Sequence, residues 1–187
     1  VDVSNGSKEL EGATLTITSK DGKDLSSVTS ENTTMKATTT TITFTSQATD
    51  TVLSNLPAGE YTLTETTAPD GYTKAESIDF TINKDGTITV GTSTVDKVTM
   101  EDDITSVTIS KVDITNGSKE LEGATLTITS KDGKNLSNVT SENTTMKTTE
   151  NTITFTSQST DTVLKKLPTG NYTLTETTAP DGYTKAE

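Results

Sequence analysis

Residues 1–76 return almost unchanged as residues 112–187, displaced by 111 positions, and only 12 of the 76 aligned positions differ. The exchanges include Val3/Ile114, Asp24/Asn135, Thr39/Glu150, Asn55/Lys166 and Glu60/Asn171, most of them between residues at home on a surface. Two such similar stretches must adopt one fold twice. Tandem copies build extended, quasi-one-dimensional objects. A repeat of this length is the size of a sandwich domain rather than of a solenoid turn.

Within each copy the apolar residues alternate with threonine. Ala13, Leu15 and Ile17 are spaced by Thr14 and Thr16; Ile42 and Phe44 sit between Thr41, Thr43 and Thr45. A period of two marks half-buried strands, and threonine is a β-branched residue suited to their outer face. Turn sequences separate the strands: Lys20-Asp21-Gly22-Lys23, Leu56-Pro57-Ala58-Gly59, Ala68-Pro69-Asp70-Gly71 and Asn83-Lys84-Asp85-Gly86. Tyr61–Glu65 follows one of these turns, and Ile78–Ile82 with Ile88–Val90 reads as a hairpin. Val98–Met100 and Val107–Ile109 supply two further strands. No segment has a convincing helical period. Many short strands without helices predict an all-β protein of tandem immunoglobulin-like, antiparallel β-sandwich modules. Only 28% of the residues are hydrophobic, so the cores are thin.

Charge and residue usage remove several function classes. The net charge is −12, which repels nucleic acid and anionic membrane surfaces. Cys, His and Trp are absent, so disulfides, thiolate metal sites and histidine-based catalysis lose their residues. The Lys-Asp-Gly turns do not have calcium-loop spacing and read as plain turns. The glycosylation-like patterns Asn5-Gly6-Ser7 and Asn32-Thr33-Thr34 are read as chance. No apolar run is long enough to span a membrane, and no cofactor is implied.

Three charges break the alternation. Glu65 shares a face with Tyr61 and Leu63, Asp102 with Val98 and Met100, and Lys111 with Val107 and Ile109; Glu176 repeats Glu65 in the second copy. Each lies near a strand end, where a charge can reach water and a lysine can snorkel. Three together point instead to mutual pairing in the interior. Burial disfavours the charged form of such groups. A neutral amine is a nucleophile, and a neighbouring carboxyl can move protons. The pattern alone implies a buried ionic triad, of which a Lys–Asp amide is one outcome.

The segments Ile109-Ser110-Lys111-Val112-Asp113, Leu121-Glu122-Gly123-Ala124, Tyr61-Thr62-Leu63-Thr64-Glu65-Thr66-Thr67-Ala68-Pro69-Asp70-Gly71-Tyr72 and Val98-Thr99-Met100-Glu101-Asp102 resemble the collagen-adhesin B-type (SpaA-like) domains of Gram-positive surface proteins and pilins. The resemblance spans essentially the whole chain. It implies a prealbumin-like sandwich and a self-formed intramolecular isopeptide bond. Lys111 takes the place of the nucleophile, Asp102 that of the acceptor, and Glu65 and Glu176 that of the assisting acid. Asp102 is preferred to Asp103 because it keeps phase with Val98 and Met100.

The resemblance also sets the register. Residues 1–103 form a first module lacking its first strand, and residues 104–187 a second lacking its last strands. Lys111 and Asp102 then belong to successive modules. Eight residues between them are too few for the crossover that parallel neighbours require, so no bond between these two is expected. Their partners would lie in adjacent modules, or in another chain by strand exchange. The expected role is a cell-wall-attached, extracellular stalk or spacer whose partners are neighbouring repeats. A host or matrix ligand would bind through another domain. The rival reading is a module that itself binds such a ligand. An enzyme acting on outside substrates is not expected.

Overall fold

A computed structural model of the protein describes residues 1–6 and 8–186, with Asn5 and Ser118 described by their backbone only. The Asn5-Gly6-Ser7 pattern and the end of the second module at Glu187 thus extend outside the described residues. The chain divides into two compact units. One comprises Val1–Pro69 and Thr73–Asp103, the other Asp70–Tyr72 and Ile104–Glu187.

The first unit contains β1 (Thr14–Ser19), β2 (Thr29–Ser30), β3 (Met35–Ala37), β4 (Thr41–Thr45), β5 (Leu53–Ser54), β6 (Gly59–Thr67), β7 (Ile78–Ile82), β8 (Ile88–Val90) and β9 (Ser93–Val95). Seven of them form one antiparallel sheet in the order β3-β4-β1-β6-β7-β8-β9, and β2 pairs with β5. The second unit contains β10 (Ser106–Ile109), β11 (Val112–Asp113), β12 (Asn116–Glu120), β13 (Thr125–Ser130), β14 (Thr140–Ser141), β15 (Met146–Thr148), β16 (Thr152–Thr156), β17 (Thr162–Lys165) and β18 (Tyr172–Thr178). Its sheets run β15-β16-β13-β18, β10-β17-β14 and β11-β12. The only helical element among the described residues is a 3₁₀ turn at Val3–Asn5. The all-β, antiparallel organisation is the one the alternating pattern predicts.

The inward residues make two separate cores. In the first unit Ile17, Ile42, Tyr61, Leu63 and Phe80 pack with Leu25, Val28 and Met100. In the second, Leu126, Ile128, Ile153, Phe155 and Leu164 pack with Leu136 and Val139. On the outer faces threonines meet across strands. Thr16 and Thr43 bring their hydroxyls to 3.1 Å, as do Thr127 and Thr154. Such pairs support a sheet that has little apolar surface to bury.

Two sequence expectations need adjustment. Val98–Met100 forms no ladder among the described residues; its end is held by the Val1 amine, which donates to Met100 O at 2.6 Å, and by a parallel bridge between Asp2 and Asp102. Its alternation survives, because Met100 and Asp102 are buried while Thr99 and Glu101 are exposed. In β10 only Ile109 packs against the core, and Val107 remains exposed. Neighbouring strands account for a third difference. Thr162–Lys165 pairs with both β10 and β14, and Leu164 is fully buried. Its counterpart in the first unit has only β2 beside it, shrinks to Leu53–Ser54, and leaves Leu53 half-buried.

A buried serine closes the second sandwich where the chain enters its first long strand. Ser157 Oγ donates to Leu121 O at 2.6 Å and accepts from Ala124 N at 2.9 Å. Both bonds are buried, so Ser157→Ala strands a backbone donor and a backbone acceptor without water. The substitution is expected to cost the second unit about 1–3 kcal/mol, read from chemical denaturation. A change within a few tenths of a kcal/mol would show that the two backbone groups find other partners.

Candidate functional site

Each unit places a glutamate in its interior, and a bulge explains how. Along the pairing of β1 with β6, Leu15 faces Glu65 and Thr14 faces Thr67, so Thr66 is the extra residue. Thr66 turns its hydroxyl back to Thr14 O at 3.0 Å. The second unit repeats this, with Leu126 facing Glu176 and Thr177 Oγ1 bonded to Thr125 O at 3.1 Å. The bulge ends the regular ladder directly after the glutamate. Glu65 and Glu176 are 1% and 5% exposed.

One backbone N–H holds each carboxylate. Ala75 N donates to Glu65 Oε2 at 2.7 Å, and Ala186 N donates to Glu176 Oε2 at 2.5 Å. The second oxygen, Oε1, has no hydrogen-bond donor in either unit. That leaves a buried acceptor facing whatever group lies beside it.

In the first unit that neighbour is Asp102, itself 3% exposed. Val3 N donates to Asp102 O at 3.0 Å and Asp102 N donates to Val1 O at 2.9 Å, so the chain start runs parallel to Met100–Asp102. Burial pushes the Asp102 carboxyl up to about 6, helped next by the negative charge of Glu65. The Val1 amine opposes that rise; a hydrogen bond to Glu65 and the charge of Asp2 add to it. A protonated Asp102 can donate to Glu65, which reconciles two adjacent acids with their burial. A cleft of about 680 Å³, whose apolar lining includes Leu15, Leu53, Leu63, Phe80, Val98 and Met100, reaches both carboxyls.

In the second unit the neighbour is Lys111. Its Nζ stands 3.4 Å from Glu176 Oε1. Lys111 N donates to Glu120 Oε2 at 3.0 Å and Leu121 N donates to Lys111 O at 2.7 Å, which pins the backbone carrying the lysine. Glu65 and Asp102 thus meet in one unit, and Lys111 and Glu176 in the other; Asp102 and Lys111 belong to different units.

Sequence reasoning missed Asp2, which is 2% exposed and accepts from Ser4 N at 2.9 Å and Ser4 Oγ at 2.5 Å. The Asp-x-Ser spacing is an Asx-turn signal, and Asp113-x-Thr115 repeats it with bonds of 2.8 and 2.7 Å. Among the described residues no group of three or more His, Cys, Asp or Glu side chains is arranged to hold a metal ion.

The family model described as SpaA, a prealbumin-like fold domain, matches residues 1–96 and 105–187. Among solved structures, the chain is similar to the Bacillus anthracis TIE protein at 24% identity and a TM-score of 0.43, covering 100% of this chain and 28% of that one. It is similar to a C-terminal fragment of the pilus adhesin SpaC from Lactobacillus rhamnosus GG at 22% identity and a TM-score of 0.38, covering 92% of this chain and 69% of that one. The shaft pilin spaA of the same organism follows at 20% identity and a TM-score of 0.33, covering 95% and 78%. No curated protein sequence matches.

Two measurements probe these carboxyls. Asp102 binds its proton more tightly in the fold than in the unfolded chain, where aspartate titrates near 3.8. Its contribution to stability is therefore full below that value and is lost as pH rises through about 6. Unfolding of the first unit is expected on the order of 5 °C lower at pH 7.5 than at pH 4, and Asp102→Asn should flatten that slope. An unchanged slope in the variant would place the titration elsewhere. In the second unit, Lys111→Met leaves Glu176 buried without its cation and should cost about 3–5 kcal/mol. Lys111→Met with Glu176→Gln should recover most of that loss, and equal instability of single and double variants would rule out the ion pair as the cause.

Proposed function

The chain belongs to the SpaA family of prealbumin-like fold domains, and on that footing we propose that it is a stalk or spacer segment of a bacterial surface adhesin or pilus. Its complete modules are tied by self-formed Lys–Asp isopeptide bonds. The observation that carries this reading is the shared glutamate. The displacement of 111 residues that superposes the copies brings Glu65 onto Glu176. Beside that one carboxylate the first unit holds Asp102 and the second Lys111. A module with both neighbours would hold lysine, glutamate and aspartate around one buried point.

The chemistry follows from that grouping. The glutamate takes a proton from the lysine ammonium, and the freed amine attacks the carbonyl carbon of the protonated aspartate. The tetrahedral adduct loses its hydroxyl with the proton the glutamate carries, and the nitrogen passes its surplus proton back to the glutamate; one C–N bond forms, one C–O bond breaks, one water leaves and the glutamate ends protonated. Packing in a fixed interior supplies the proximity that makes an unactivated carboxylic acid react. The cleft of the first unit supports the reading further. It borders Leu53, the counterpart of Leu164 on β17, where β10 lies in the second unit.

A covalent tie between first and last strands would route tension through an amide instead of ladder hydrogen bonds. It would also restrict the unfolded chain as a disulfide does, with no need for an oxidising compartment. The acidic surface suits an extracellular, cell-wall-attached position beside other repeats. Among the described residues no helix is long and apolar enough to cross a membrane.

The decisive experiment uses one complete module, made of residues 105–187 followed by residues 77–103. Its intact mass is expected one water below the sequence value. Lys111→Ala and Glu176→Ala should each restore the uncondensed mass after correction for the substitution. A folded module of full mass would reduce the triad to an ionic cluster and leave the spacer to rely on sandwich packing.

A further inference from the structure

The second unit includes three residues from far outside its own copy of the repeat: Asp70, Gly71 and Tyr72. Their attachment is specific. Thr105 N donates to Gly71 O at 3.0 Å, and Thr105 Oγ1 donates to Leu167 O at 2.7 Å. Lys166 N in turn donates to Thr105 O at 2.9 Å. Tyr72 forms an antiparallel bridge with Ile104. Lys134 Nζ is 3.0 Å from Asp70 Oδ1. Lys166 Nζ donates to Tyr72 Oη at 3.1 Å and lies 5.3 Å from the centre of its ring, a cation–π distance.

The same turn at its other occurrence is a built-in comparison. Gly71 and Gly182 both have left-handed backbones, with φ of +90° and +84°. A Cβ on Gly71 would lie 2.9 Å from Lys166 O and 3.1 Å from Lys166 Cα, whereas a Cβ on Gly182 would meet nothing within 4 Å. Tyr72 is 9% exposed and Tyr183 40%. The receiving corner has changed between the copies as well. Lys166 stands where the first copy has Asn55, and both residues are left-handed, at φ of 61° and 66°. A lysine in that conformation carries backbone strain that asparagine tolerates better. It stays there while delivering its ammonium group to the Tyr72 ring.

We infer that Asp70-Gly71-Tyr72 is a docking plug and that the corner formed by Thr105, Lys134, Lys166 and Leu167 is its receptor, with Lys166 as the residue that selects it. The partner this corner fits is an Asp-Gly-Tyr turn from a copy of this same repeat: a carboxylate for Lys134, a Cβ-free residue against the Lys166 backbone, and a tyrosine for the Lys166 ammonium. The turn completes the unit that receives it, and this role is separate from any crosslink.

Amide hydrogen exchange on the full 187-residue chain tests the inference. Gly71→Ala and Tyr72→Ala are expected to speed exchange at the Thr105 and Lys166 amides at least tenfold. Gly182→Ala, which imposes the same backbone strain without the close approach, should leave those amides unchanged. Lys166→Asn keeps a residue suited to the left-handed backbone, so the unit still folds, and exchange at Thr105 should rise severalfold. Exchange at Ile17 and Ile42, inside the first unit's sheet, should stay constant throughout. Unchanged Thr105 and Lys166 amides in Tyr72→Ala and Lys166→Asn would overturn the inference. So would a loss of protection confined to the first unit.

Discussion

A carboxylate moved into an apolar interior costs several kcal/mol unless hydrogen bonds and a charge partner compensate it. Glu65 and Glu176 impose that demand on both units. Each is placed by a bulge, each receives one backbone N–H, and each keeps one oxygen turned to a neighbour. In one unit the neighbour is Asp102, whose carboxyl burial and the charge of Glu65 push up to about 6; in the other it is the Lys111 ammonium, 3.4 Å from Glu176 Oε1.

A chain this poor in apolar residues still buries a carboxylate in each unit. Glu65 is inside because the period of two along β6 keeps it on the face of Tyr61 and Leu63, with the bulge at Thr66 following it. The same geometry holds the lysine and aspartate segments by backbone bonds, through Leu121 and Glu120 around Lys111 and through Val1 and Val3 around Asp102. Fixed backbones give fixed side-chain stems, which is what intramolecular reaction needs.

Threonine serves the opposite face. Cross-strand hydroxyl pairs such as Thr16 with Thr43 and Thr127 with Thr154 recur at equivalent positions of both units. They let an acidic, solvent-facing sheet keep its register without exposing large apolar side chains. Two places break the threonine pattern: the buried acids with Lys111, and the Asp-Gly-Tyr turn with its lysine-lined corner.

The sequence by itself determined the duplication, the all-β class and the inward phase of Glu65, Asp102 and Glu176, because a period of two assigns faces without reference to any neighbour. It failed where neighbours decide. Val98–Met100 has a strand's alternation but no ladder, since regular pairing needs a partner along its length and the chain start meets it only at its end, at Met100 and Asp102. Leu53 and Leu164 both follow Thr-Asp-Thr-Val yet differ in burial, and β10 lies beside one and not the other. Asp2 gave no periodic signal, and its burial depends on a residue a hundred positions away. Tertiary structure alone decided that Asp70–Tyr72 folds with the second unit: identical turns at 70–72 and 181–183 differ only in what stands opposite them, and local sequence carries no information about that.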